Sequence, residues 1–163
     1  MAENTANSIY ELRHITINGC EMTLLIRSEN INNPVLLYLH GGPGDSLIPF
    51  AEYATDNLIK SCTVVYWDQR GTGLSYSNKI DKRTMNVEQF VKDTEAVTQY
   101  LKTVFSKKKI FLLGHSWGSI LGLLTIKSQP ENYYAYIGVG QVINNDSLMR
   151  YRNQDTPQQS CEV

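Results

Sequence analysis

The 163-residue chain carries 15 Lys and Arg against 16 Asp and Glu, a net charge of -1, so no basic surplus directs it to nucleic acid or to an anionic membrane. Its length fits one domain with a real core, and 42% apolar with 19% charged residues is the balance of a globular protein. No apolar run approaches the roughly 20 residues that span a bilayer. Met1 to Ser8 is polar rather than a basic stretch leading into an apolar one, so the expectation is a cytoplasmic protein. Cys20, Cys62 and Cys161 are odd in number and widely spaced, which reads as reduced thiols with neither a disulfide framework nor a metal clip.

Leu12 to Ile17 alternates imperfectly, Asn18-Gly19 supplies a pair that takes positive φ, and Glu21 to Ile26 resumes the extended pattern, which predicts an N-terminal β-hairpin. Val35 to Leu39 is a continuous apolar run of the length of a strand buried on both faces. The glycine-rich loop His40 to Asp45 follows it directly. Leu47, Phe50, Ala51, Ala54 and Leu58 then fall at spacings of three and four, which predicts a helix.

Thr63 to Trp67, β-branched and aromatic, reads as the next buried strand, and a polar, glycine-containing loop runs from Asp68 to Thr84. Asn86 with Gln89 three residues on marks a helix start, and Val87, Phe90, Val91, Val97, Leu101, Val104 and Phe105 mark its buried face. Lys107 to Lys109 reads as a solvated loop. Ile110 to Leu113 is a third buried strand, Ser116 begins a turn, and a helix over Ile120 to Ile126 ends near Gln129-Pro130. Tyr134 to Val139 gives a fourth strand. Strands apolar along their length and alternating with helices argue for an α/β fold with a mostly parallel sheet covered on both faces. Ser147 to Tyr151 could begin another helix, and the polar stretch Asn153 to Val163 reads as frayed or cut off.

The chemistry concentrates in two loops. Gly114-His115-Ser116-Trp117-Gly118 fits G-x-S-x-G and lies between an apolar strand and an apolar-striped helix, the context in which a serine is lifted above a sheet as a nucleophile. Glycines flank it because a strand turning at once into a helix leaves no room for bulk there. The same turn puts the backbone N–H of Trp117 at a helix N-terminus, where a developing oxyanion is stabilised. A second donor is expected from Gly41 or Gly42 in His40-Gly41-Gly42-Pro43-Gly44, at the end of the first apolar strand.

His40 to Gly44, the run Asp68-Gln69-Arg70-Gly71-Thr72-Gly73-Leu74-Ser75 and Gly114 to Ser119, in this order, resemble the proline iminopeptidase group of α/β-hydrolases. The resemblance runs from about Leu12 to Gln141. It implies a three-layer α/β-hydrolase core with an antiparallel N-terminal hairpin, and a hydrolase that releases an N-terminal residue, often proline, from a small peptide without metal or organic cofactor. A general carboxylesterase acting on an ester is the alternative enzyme. A dehalogenase is disfavoured, because that chemistry looks for Asp where Ser116 stands. In the resembling enzymes Asp68 and Arg70 look like a loop-bracing ion pair rather than catalytic groups.

The resemblance also implies that the chain, residues 1–163, is a partial core. The order of the triad is Ser, Asp, His, and the acid and base of the family come from beyond the last residue here, as does the cap that holds the substrate's ammonium. Of the three histidines, His14 falls in the hairpin, His40 in the glycine loop and His115 beside Ser116, and none is a good base. Asp146 and Asp155 follow the fourth predicted strand, earlier than the strand end from which the family's acid comes. A surface normally covered by the missing half could mediate self-association, which makes a non-catalytic assembly module the competing class.

Overall fold

The computed structural model describes residues 7–55 and 57–143. The hairpin forms as β1 (Ile9–Ile17) and β2 (Cys20–Ser28), turned by Asn18 and Gly19 at φ 47° and 73°. Both strands are longer than the alternation indicated, because β2 is buried along most of its length and pairs on its other side with β4 (Thr63–Asp68). The remaining strands are β3 (Val35–Leu39), β5 (Ile110–His115) and β6 (Tyr133–Val139). The sheet order is β1-β2-β4-β3-β5-β6, with β2 antiparallel to both β1 and β4 and the last four strands mutually parallel.

Two helices, α2 (Val87–Val104) and α3 (Trp117–Ser128), cover one face over a core that includes Leu37, Leu39, Trp67, Val97, Leu101, Leu112 and Leu121. The other face buries Leu25, Leu36, Val64, Tyr66 and Leu113 under a thinner layer that contains Ala51. The continuous helix expected over residues 47–58 is not formed. Its place is taken by single 3-10 turns at Ile48–Phe50 and Leu58–Lys60 around the five-residue α1 (Ala51–Thr55). Pro49 stands in the first turn, and Phe50 points outward at 59% exposure, so the apolar spacing never becomes a stripe laid on the core.

The start of α2 is as the sequence indicates, with Asn86 as N-cap accepting from the Gln89 N–H at 2.9 Å. Its buried face differs: Val87 and Val104 are each 42% exposed, while Asp93, Thr94 and Thr98 are buried beside Phe90, Val97 and Leu101. The rule that strands are covered on both faces fails at β6, the sheet edge, where Tyr133 is buried and Tyr134, Ile137 and Val139 are exposed. Among the described residues no helix is long and apolar enough to cross a membrane. Cys20 and Cys62 are free thiols, both pushed to higher pKa by burial. The expected helix at 147–151, the tail 153–163, Asp146, Asp155 and Cys161 lie outside the described residues.

One topological feature positions the site. From β3 the chain goes to β4 on one side and then to β5 on the other, so β3 and β5 are adjacent strands whose following connections part to opposite sides. In open α/β sheets, ligands bind at that crevice, outside the carboxyl ends of the strands.

Candidate active site

The crevice holds the two loops that the sequence singled out. Ser116 closes β5 and caps α3 with φ 51° and ψ -116°, outside the regions a residue with a side chain normally occupies. Several contacts over-determine that conformation. The Ser116 N–H donates to Val139 O at 2.9 Å, and the Ser116 carbonyl accepts from the Ser119 N–H at 2.9 Å and from Ser119 Oγ at 2.6 Å. Ser119 Oγ in turn accepts from the Val142 N–H at 3.0 Å, so the segment after β6 is tied to the turn.

The flanking glycines are sterically required. A Cβ on Gly114 would come within 2.3 Å of Gly118 O, and one on Gly118 within 2.1 Å of Leu39 O, both backbone atoms. The second contact shows how closely α3 seats on the end of β3. In the loop after β3, a Cβ on Gly41 would lie 3.4 Å from Ser116 Cβ and 3.2 Å from His115 Nδ1. Gly42, at φ 107°, would place a Cβ 2.5 Å from Gly44 N. The loop therefore lies against the turn that carries Ser116, with glycine where the two backbones meet.

His40 is buried and has both ring nitrogens engaged. Nε2 lies 3.1 Å from the Gln69 backbone nitrogen and must accept from its N–H, which leaves the proton on Nδ1, 2.8 Å from Gly41 O. Burial holds the His40 pKa below the ordinary histidine range, against the opposing pull of the Gly41 carbonyl, Asp68 and Asp45. His40 thus shapes the loop as a neutral ring. His14 lies in β1 with Nδ1 3.0 Å from Thr23 Oγ1. The His115 ring lines a cavity of about 220 Å³ together with Tyr38, Leu47, Phe50 and the loop.

Asp68 and Arg70 are not paired with each other, and each bonds different partners. Asp68 accepts from Ser46 Oγ at 2.5 Å and from the Leu74 N–H at 2.8 Å, joining the end of the glycine loop to the segment after β4. Arg70 makes a bidentate, buried ion pair with Asp93 of α2, at 2.7 and 2.9 Å, which raises the guanidinium's pKa. Asp93 also accepts from Asn18 and Gln89. An acidic residue in the middle of a helix gave no sequence sign of this, apart from its place one turn from the apolar stripe.

Gln69 is the other group whose part the sequence did not reveal. It is fully buried, its side-chain amide donates to His40 O at 3.2 Å, and its side-chain carbonyl accepts from Trp117 Nε1 at 3.1 Å. The Trp117 ring packs edge-on against Phe90, with centroids 5.9 Å apart. Among the described residues, no three His, Cys, Asp or Glu side chains gather as a metal site would need.

A β3 loop of glycines facing a serine on a strand-turn-helix, at the carboxyl edge of a mostly parallel sheet with a hairpin at one side, defines an α/β-hydrolase. The comparisons with known proteins place it more narrowly. Residues 32–154 match the family described as serine aminopeptidase, S33, and the chain belongs to that family. It is 44% identical over 137 residues to the probable aminopeptidase YbaC of Bacillus subtilis strain 168, an alignment covering 84% of this chain and 43% of that protein. It is 38% identical over 110 residues to a proline iminopeptidase of Thermoplasma volcanium, covering 68% of this chain and 35% of that one. The chain spans less than half the length of both relatives. Among solved structures, a proline iminopeptidase-related protein of Thermus thermophilus superposes with a TM-score of 0.69 at 19% identity, over 92% of this chain and 58% of that one, a likeness of fold.

Proposed function

We infer that the chain carries the nucleophile and the oxyanion-binding part of a serine hydrolase that releases an N-terminal residue from small peptides, proline among them. The observation that carries this reading is Gly41 lying against Ser116, with the serine held at φ 51° between β5 and α3. In that arrangement Ser116 Oγ attacks the carbonyl carbon of the first peptide bond. The negative charge that forms on the carbonyl oxygen meets the N–H groups of Gly41 or Gly42 and of Trp117, the last reinforced by the α3 dipole. The open cavity of about 220 Å³ beside His115 and Gly41 offers a place for a substrate side chain next to the glycine loop. The relatives named as aminopeptidase and proline iminopeptidase support the same reading.

A base must take the Ser116 proton and return it to the leaving amine. His14 and His40 are committed elsewhere, and among the described residues no hydrogen bond joins the His115 ring to the Ser116 hydroxyl. The complete site therefore needs an imidazole and a carboxylate from outside residues 7–143. Without a base, an oxyanion hole and binding alone sustain on the order of 10³ to 10⁴ over the uncatalysed rate.

The experiment is hydrolysis of proline arylamide by the 163-residue chain with and without millimolar imidazole as a base from solution. The reading predicts weak turnover that rises with imidazole and disappears in Ser116→Ala. Rapid turnover without imidazole would contradict the absence of a base. Imidazole-dependent cleavage of aryl esters with none of the arylamide would favour the esterase alternative, since the same donors serve any acyl group.

A further inference from the structure

We propose that Gln69 is a positioning residue that holds the two oxyanion-binding segments at a fixed separation, acting through the Trp117 indole and the His40 backbone rather than touching the substrate. The inference rests on the reading of Ser116 as nucleophile. Its structural content stands on contacts that no motif assigns.

The oxyanion donors come from different parts of the chain, one after β3 and one after β5. The seating of Gly118 on the end of β3 brings the two segments together, and a side-chain bridge from a third segment ties them as well. Gln69, at the end of β4, bridges both. One end of its carboxamide donates to His40 O, the other accepts from the Trp117 indole, and its backbone N–H donates to the His40 ring. Because β4 lies on the far side of β3 from β5, the bridge crosses over the end of the intervening strand. The residue's own neighbours in sequence are anchored, Asp68 through Ser46 and Leu74, and Arg70 through Asp93. The bridge therefore has a rigid base on the β4 side.

Residue chemistry narrows the choice further. The site asks for a donor at one end and an acceptor at the other, in a buried position, and the Gln carboxamide offers both without charge at the end of one side chain. Glu could accept from the indole but would set an anion beside the His40 carbonyl. Leu would fill the volume and leave the His40 carbonyl and the indole N–H without their partner. A displacement of one segment by an ångström is enough to slow a reaction about a hundredfold.

The test follows phosphonylation of Ser116 by a fluorophosphonate in the 163-residue chain with imidazole, resolved into reversible affinity and first-order capture rate. Hydrogen exchange of the two indole N–H groups is followed alongside it by NMR. The buried Trp67 indole, 3.2 Å from Met22 Sδ, serves as the internal reference. In wild type the Trp117 indole is expected to exchange slowly. Gln69→Leu should free it and lower the capture rate about tenfold to a hundredfold with affinity little changed. Trp117→Phe keeps the ring packing on Phe90, removes the donor from the other end, and should slow capture similarly. Since both act on one bridge, the double variant should be no slower than the slower single one. Gln69→Glu should keep the indole protected and still slow capture, because the His40 end is lost.

Capture at the wild-type rate in both single variants overturns the proposal while leaving Ser116 as nucleophile, as does a free Trp117 indole in wild type. Absence of any capture in folded wild-type chain overturns the reading of Ser116 and the positioning role with it. If Gln69→Leu does not fold, Trp117→Phe decides alone.

Discussion

The carbonyl oxygen of Leu39 sits so close to Gly118 that a methyl group on that glycine would come within 2.1 Å of it. The end of β3 and the first turn of α3 are thus in backbone contact, and this contact sets where Ser116 stands relative to the glycine loop. Gly118→Ala should destabilise the fold by about 3 kcal/mol or more, since the atoms it would meet are main chain and cannot rotate away. Gly114→Ala, 2.3 Å from Gly118 O, should behave alike. Urea denaturation of both variants is the check.

The backbone at Ser116 supplies a second prediction. A residue at φ 51° and ψ -116° stores about 1–3 kcal/mol of strain unless it is glycine. Ser116→Gly should therefore be more stable than Ser116→Ala by about 1 kcal/mol after the greater freedom of the unfolded glycine is subtracted. Denaturation midpoints of the two variants measure the difference, and equal midpoints would mean that the turn is unstrained.

Much of this arrangement was legible in the sequence, and the parts that were not have a common character. Val35 to Leu39 and Ile110 to Leu113 are apolar without interruption and Thr63 to Trp67 is β-branched and aromatic, so their place in a parallel sheet followed from composition, and the glycines around Ser116 marked the turn. Leu47 to Leu58 misled because spacing does not report that Pro49 opens a separate turn and that Phe50 faces outward. Val87 and Val104 misled because the face of α2 that meets the sheet is partly polar, organised by Asp93 receiving Arg70. Gln69 and Asp93 act through partners 48 and 23 residues away, and such pairings leave no periodic trace in one sequence.

The Arg70 and Asp93 pair is the clearest case. Its side chains are 4% and 0% exposed, and Asn18 and Gln89 complete the carboxylate's hydrogen bonds. Asp93→Ala should cost about 3–5 kcal/mol by leaving a buried guanidinium unpaired. Lys92→Ala, which breaks the solvent-exposed pair with Glu88 on the same helix, should leave stability unchanged. Parallel denaturant titrations separate the two.

His40 predicts a pH dependence. Its pKa is lowered in the folded chain, so between that value and the unfolded value of about 6.5 the unfolded chain binds more protons. The contribution of this group is fully present above about pH 6.5 and is lost as pH falls toward the folded pKa. Protonation would remove the acceptor that Nε2 offers to the Gln69 N–H. Stability followed from about pH 7.5 down to about pH 5 should fall in wild type and fall less steeply in His40→Gln.

The most direct measurement is the location of a covalent adduct. After treatment with a fluorophosphonate in the presence of imidazole, peptide mass spectrometry should find the phosphonyl group on Ser116, with Ser75 and Ser119 unmodified and the adduct absent from Ser116→Ala. A folded chain that remains unmodified, or that carries the group on another serine, would contradict the assignment of the Ser116 hydroxyl as the attacking group.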